Sequence, residues 1–281
     1  MQQKKLILHY KAYIPIILLG IFSFLINYHY GFVGIMPMDN TVLYNGGYKV
    51  LNGYIPFTDY WLVTGPLLDY LNAFFFLING VSWKTFIIHS SIFNLLAAVA
   101  SYLLFINLGL SRVYSSLYSA LISILFYPVV GTPFVDHHST FFLMMAFYGF
   151  ILAVNKENNF YFLLIPFLFC LSFLSKQTPA VYGLISIIGL MAIYCMYKKK
   201  YFKKILIFSI FGTLFSFLFL FIFFYLTNIN FSNFFDQYIL FASSIGDFRF
   251  SNYNFSFIDI IIKFKLLNIF IFILFISLIK M

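Results

Sequence analysis

Between residues 37 and 70 the chain reads PMDNTVLYNGGYKVLNGYIPFTDYWLVTGPLLDY and carries Asp39, Asp59 and Asp69, three of only eight acidic residues in 281. Carboxylates accept protons, hold cations and orient hydroxyls, and a chain that gathers so many of its few in one stretch is expected to use at least one of them. Each also has a structural alternative. Met-Asp-Asn-Thr opens a helix through Tyr48, and Asp39 suits its N-cap. Asp59, in P-F-T-D-Y-W, is read first as the acid that closes a turn on neighbouring amides, with ligand positioning second. Tyr60 and Trp61 suit ring stacking on a ligand or an interfacial belt, the commoner role. A second constellation is Asp136-His137-His138. Adjacent histidines cannot both face one metal from a regular helix or strand, and no third ligand follows at the usual spacing, so a divalent metal on Asp136 and His138 would rest on two ligands only. The alternative for Asp136 is a helix-start cap. Lys176 lies between two short apolar stretches, where a fixed cation is costly to bury; the alternative is a lysine snorkelling to headgroups.

The elements that must position these residues are membrane helices. The composition is 63% hydrophobic and 9% charged, with a mean hydropathy of +0.96, against roughly 25% charged for a soluble domain. The 42 Phe and 22 Tyr accompany abundant Ile, Asn and Lys, as an AT-rich genome produces, so they do not indicate a ligand. Cys170 and Cys195 both fall in apolar segments and behave as small hydrophobes. A hydrocarbon core about 30 Å thick needs roughly 17 to 25 apolar residues per helix. Segments near that length occur at about 12–30, 83–107, 113–130, 138–154, 160–174, 177–197, 205–227 and 266–281. The expected fold is therefore an all-α polytopic bundle of about eight transmembrane helices forming a single domain over 1–281. The abrupt end after Lys280 suggests C-terminal truncation.

Lys and Arg near span ends stay on the cytoplasmic side. With the N-terminus inside and eight spans, Lys4, Lys5, Lys11, Arg112, Lys156, Lys198, Lys199, Lys200, Lys203, Lys204 and Lys280 face the cytoplasm against the single acid Glu157. The net charge of +9 is thus an orientation signal, and no nucleic-acid partner is implied. Residues 66–80 tempt a ninth span, but crossing there would put KKKYFKK outside. They are read as a helix dipping into the outer interface, with Asp69 and Asn72 one turn apart. A long first external loop (31–82), the Asp136 loop, the turn at Lys176 and a last external loop (228–265) then share the outer face. No Gly-rich phosphate loop occurs, and soluble activated donors are scarce on that side, so an enzyme there would draw on a lipid-borne donor.

The pattern D-N-x-x-x-Y-x-G-x-x-x-L-x-G-x-x-P-F-x-D-Y-W, followed by T-G-P-L-L-D-Y-L, resembles the first external loop of polyprenyl-phosphate-dependent GT-C glycosyltransferases. The nearest branch includes bacterial relatives of protein O-mannosyltransferases and the lipid A aminoarabinose transferases. F-x-x-x-L-S-K-Q-T-P-A, residues 169 to 180, resembles their short paired helices with a lysine between. The resemblance covers most of 12–230. It implies a GT-C-like bundle with short interfacial helices in its first loop, and a sugar moved with inversion from a polyprenyl phosphate to lipopolysaccharide, a cell-wall glycan or a protein. Asp39 then acts as general base or orients the acceptor, and Asn40 departs from the second acid common at that position. Asp59, Tyr60, Trp61, Asp136 and His137 are implied as acceptor or cavity residues, and Lys176 and Arg249 as contacts for the donor phosphate. The location implied is a bacterial inner membrane, with the site on the external face. A transporter or flippase of lipid-linked sugars is the competing expectation, and an inactive glycosyltransferase-like chain a third.

Overall fold

A computed structural model describes residues 2–34, 37–199, 202–251 and 256–279. Among them the chain is helical and forms no strand, as an apolar solvent demands of a backbone that must bond to itself. Helix α1 spans Gln2–Tyr30, α2 Pro37–Leu51, α3 Leu67–Asn79, α4 Trp83–Asn107, α5 Arg112–Leu125, α6 Val135–Lys156, α7 Phe160–Ser175, α8 Gln177–Tyr197 and α9 Phe202–Thr227. Short helices follow: α10 Phe231–Phe234, a π turn at Phe235–Leu240, α11 Phe241–Ser251, α12 Phe257–Lys263 and α13 Lys265–Ile279. Five described helices are long and apolar enough to cross a membrane: α4, α6, α8, α9 and the Tyr13–Tyr30 part of α1. The chain is an all-α protein of membrane-spanning type.

One expected span is shorter than the sequence suggested, and two more are short, as the sequence already indicated. The stretch expected at 113–130 stops being α-helical at Leu125, because Pro128 disfavours a helical residue before it and the chain turns at Tyr127–Val129. Its 14 residues rise about 21 Å. Helix α7 has 16 residues and α13 has 15. The stretch at 228–265, expected as a loop, is largely helical where described. Its phenylalanines explain this: Phe234 and Tyr238 bury against Phe57 and Leu62, which a solvated loop could not do.

Small polar residues join the helices inside the apolar zone. Ser23 donates to the Asn94 carbonyl at 3.0 Å and Asn94 returns a bond to the Ser23 carbonyl at 2.9 Å, so α1 and α4 satisfy each other. Asn27 donates to Ser90 and Ser91 one turn higher. Such contacts hold helices together where lipid is as apolar as leucine. Helix α6 packs on α7, and α7 on both α8 and α9.

Candidate functional site

Alternation of these helices gives the bundle a polar end and a basic end. At the basic end Asn155 reaches the Asn107 carbonyl at 3.1 Å, tying the α6 terminus to the α4 terminus. Arg112, Lys156, Lys198, Lys199, Lys203 and Lys204 lie at the helix ends and connections of that end. The opposite end gathers α2, α3, the loop between them, the start of α6, the α7–α8 junction and the π turn. Thr132 donates to Asn40 at 3.0 Å, the Gly65 amide donates to the Ser175 carbonyl at 3.1 Å, and Gln177 donates to the Tyr238 carbonyl at 2.9 Å.

Asp39 lies exposed in the first turn of α2. It is inside the helix, not at its cap, because Pro37, with its fixed φ and missing N–H, takes the opening position. A carboxylate there meets the positive end of the helix dipole. The neighbouring Asn40 is fully buried, and its Nδ2 has no hydrogen-bond partner among the described residues. Asp59 accepts from the Ile55 amide at 2.6 Å and so closes a turn. That turn holds Phe57 in the left-handed region (φ 65°) with its ring buried, a conformation costly for a bulky residue. Gln237 secures it, donating to the Phe57 carbonyl at 2.9 Å and accepting from the Leu62 amide at 3.0 Å. Trp61 is exposed, with its ring at right angles to that of Phe241.

Lys176 is the single extended residue between α7 and α8. Its Nζ pairs with Asp136 Oδ2 at 2.7 Å, with the two side chains 30% and 39% exposed. Asp136 is therefore not a cap: Phe134 holds the cap position of α6 without a side-chain bond. His137 lies half-buried beside Tyr127, with Nδ1 unpartnered. Asp136 and His138 turn to different partners, and among the described residues no group of three or more His, Cys, Asp or Glu could hold a metal ion. Arg249 belongs to α11, and its side chain lies outside the described residues.

Two polar groups, which join Tyr60, Asp69, Asn72 and His138 of the sequence analysis to the unforeseen partners Lys49, His89 and Tyr127, are the best-defined features of this end. The first is Lys49–Tyr60–Asp69. Asp69 is 2% exposed, and the Tyr60 hydroxyl donates to its Oδ2 at 2.7 Å. The Lys49 ammonium sits 4.6 Å from the centre of the Tyr60 ring. Burial pushes the Asp69 carboxyl up to about 7, against the Tyr60 hydrogen bond and the Lys49 charge, which pull it down. Burial, and then the negative charge of Asp69, push the Tyr60 phenol far above its ordinary value.

The second group is a chain of polar contacts that runs from Asn72 through two histidines to Tyr127. Asn72 donates to the Leu43 carbonyl at 3.1 Å, so its oxygen must accept from His89 Nδ1, 2.6 Å away. His89 Nε2 lies 3.0 Å from His138 Nε2, and His138 Nδ1 lies 3.1 Å from both the Tyr127 hydroxyl and the Phe134 carbonyl, the second of which can only accept. All four side chains are buried, and they link α3, α4, α6 and the turn before α6 to α2. The sequence signal for both groups is Gly46-Gly47. A Cβ on Gly46 would lie 2.3 Å from Asp69 Oδ1, and one on Gly47 2.4 Å from the Asn72 Cβ. Two glycines in a helix thus answer two polar residues three apart on the next. No family model, curated protein or solved structure matches the chain.

Proposed function

We propose that this chain is a membrane glycosyltransferase that moves a sugar from a polyprenyl-phosphate carrier to a hydroxyl acceptor, a glycan, lipid or protein, at the polar end of its bundle. The observation that carries the reading is the gathering of Asp39, Asp69, Asp136 and Lys176 at one end of an otherwise apolar helix bundle, away from the basic turns. In this reading α5, α7 and α13 complete eight spans, the N-terminus is cytoplasmic, and the polar end faces outward from a bacterial inner membrane, as the basic turns favour. Helix α3, at 13 residues or about 20 Å, lies at the interface without crossing.

The chemistry divides between two ends of the reacting bond. Asp39, exposed at the start of α2, engages the acceptor hydroxyl. Lys176 neutralises charge on the departing phosphate, exchanging its Asp136 partner for the donor; a half-exposed pair costs only about 0–1 kcal/mol to open. An apolar cleft of about 430 Å³ between α7, α8 and α9 is lined by Pro166, Phe169, Phe173, Ile187 and Ser216. Phe173 is one turn before Lys176, so a lipid chain in the cleft brings its phosphate toward the lysine. The test is purified protein in nanodiscs with a panel of radiolabelled polyprenyl-phosphate sugars and membrane extracts as acceptor source. Wild type transfers label and Asp39→Asn inserts normally but transfers at least about 100-fold less. Unchanged transfer by the variant removes Asp39 from the mechanism.

One observation favours a second reading. The buried His89 and His138, on α4 and α6, give the chain intramembrane ionisable groups of the kind that transporters use as proton relays. A flippase would move fluorescent lipid-linked sugar across proteoliposome bilayers without breaking its phosphate bond, and would lose that movement in His89→Leu.

A further inference from the structure

From the geometry of the Lys49–Tyr60–Asp69 group we infer that the acceptor's proton is taken up by Tyr60 backed by Asp69, leaving Asp39 to orient the acceptor; this rests on the glycosyltransferase reading above. Asp69 is the only buried acid among the described side chains; Asp39, Asp59, Glu157, Asp236 and Asp259 are exposed and Asp136 half-exposed. A desolvated carboxylate is the stronger base toward a sugar hydroxyl. Asp69 cannot meet a substrate directly, because Gly46 of α2 closes over its Oδ1 and the Tyr60 hydroxyl covers its Oδ2. Tyr60 is partly exposed and its hydroxyl is bonded to the carboxylate, so the phenol is the group through which the proton is routed in this proposal. Asp39 and Gly46 are seven residues apart, hence on one face of α2 and separated by about 10 Å. A sugar acceptor oriented at Asp39 can therefore extend toward Tyr60.

The step balances as a two-proton shift. The acceptor O–H bond breaks as its oxygen bonds to the sugar's anomeric carbon, and its proton passes to the Tyr60 oxygen. The Tyr60 proton passes to Asp69 Oδ2. The anomeric C–O bond to phosphate breaks with its electron pair leaving on the phosphate, beside Lys176. Lys49, above the Tyr60 ring, stabilises negative charge on the phenol during the shift. Charged or titratable groups facing the unit are Lys49 from α2, Asp59 from the loop and Tyr70 from α3 itself. Asp69 is the positioning and proton-holding group, and Tyr60 is the catalytic residue.

The unit is tested by steady-state transfer over a pH series with wild type, Tyr60→Phe and Asp69→Asn, all in nanodiscs and all checked for folding by thermal unfolding. Tyr60→Phe is expected to lower kcat about 100-fold or more with KM little changed. The wild-type rate should rise with pH through an acid limb near 7, and Asp69→Asn should abolish that limb. Infrared difference spectra over the same series give a readout without turnover: a protonated carboxyl band that titrates near neutrality in wild type, shifts in Tyr60→Phe and is missing in Asp69→Asn. If wild type transfers sugar and Tyr60→Phe keeps its rate, the inference is overturned and the glycosyltransferase reading stands. If Asp69→Asn does not fold, the Tyr60→Phe rate and band shift decide alone. If wild type transfers no sugar from any donor while the band titrates as described, the reading itself fails and the catalytic role goes with it.

Discussion

Asp69 carries a cost that its neighbours only partly offset, and the sign of that cost is measurable. Raising a carboxyl from 3.8 to about 7 corresponds to about 4 kcal/mol of preference for the neutral form. Between those two values the folded chain holds one more proton than the unfolded chain, so stability falls as pH rises through that window and is greatest below it. Thermal unfolding in detergent at about pH 5 and about pH 8 should show a larger loss for wild type than for Asp69→Asn, whose amide has no proton to shed. Equal losses would mean that Asp69 is solvated in the folded protein. The sequence presented Asp69 as a feature of a dipping helix and Asp39 as the acid of interest. Burial depends on what lies opposite, and only Gly46, seven residues beyond Asp39 and 23 before Asp69, hinted at it.

At the scale of elements, the first loop matters because it is pinned to the α7–α8 junction. A Cβ on Gly65 would stand 1.8 Å from the Leu174 carbonyl oxygen, a backbone atom that cannot swing aside. Gly65→Ala should therefore lift the loop from the junction, break the bond to the Ser175 carbonyl and cost about 1–3 kcal/mol. It should also loosen Lys176, whose amide continues the same turn, so that amine-reactive labelling at that lysine speeds up in step with a lowered Tm. An unchanged Tm would show that the loop is free to move. Helix existence was legible in the sequence: hydropathy marked α1, α4, α6, α8 and α9. Boundaries were less so where two signals competed. Pro128 ended a stretch that hydropathy alone would carry to 130, and the phenylalanines of 231–240 made helix from what asparagine and serine had suggested was loop.

For the whole molecule, separation of charge along the bundle makes a prediction about sidedness that does not depend on any catalytic role. The described helix ends and turns at one end carry Arg112, Lys156, Lys198, Lys199, Lys203 and Lys204 with Glu157 as the acid among them, and the other end carries Asp39, Asp59, Asp69, Asp136 and Asp236 with Lys49, Lys84 and Lys176. Since basic residues near span ends resist translocation and acids contribute little, the basic end stays where synthesis leaves it. Single cysteines placed at Asn52 and Asn158, in a chain whose Cys170 and Cys195 are replaced by alanine, report the two ends, because both positions are exposed turn residues. An impermeant maleimide added to intact spheroplasts should label the cysteine at 52 and should reach the one at 158 only after lysis. The opposite pattern would turn the polar end toward the cytoplasm, where soluble nucleotide-sugars are available and a lipid-borne donor is no longer required. Labelling of both in intact cells would mean that the two ends lie on one side, which the alternation of α4, α5, α6 and α7 does not allow for a bundle that spans the bilayer.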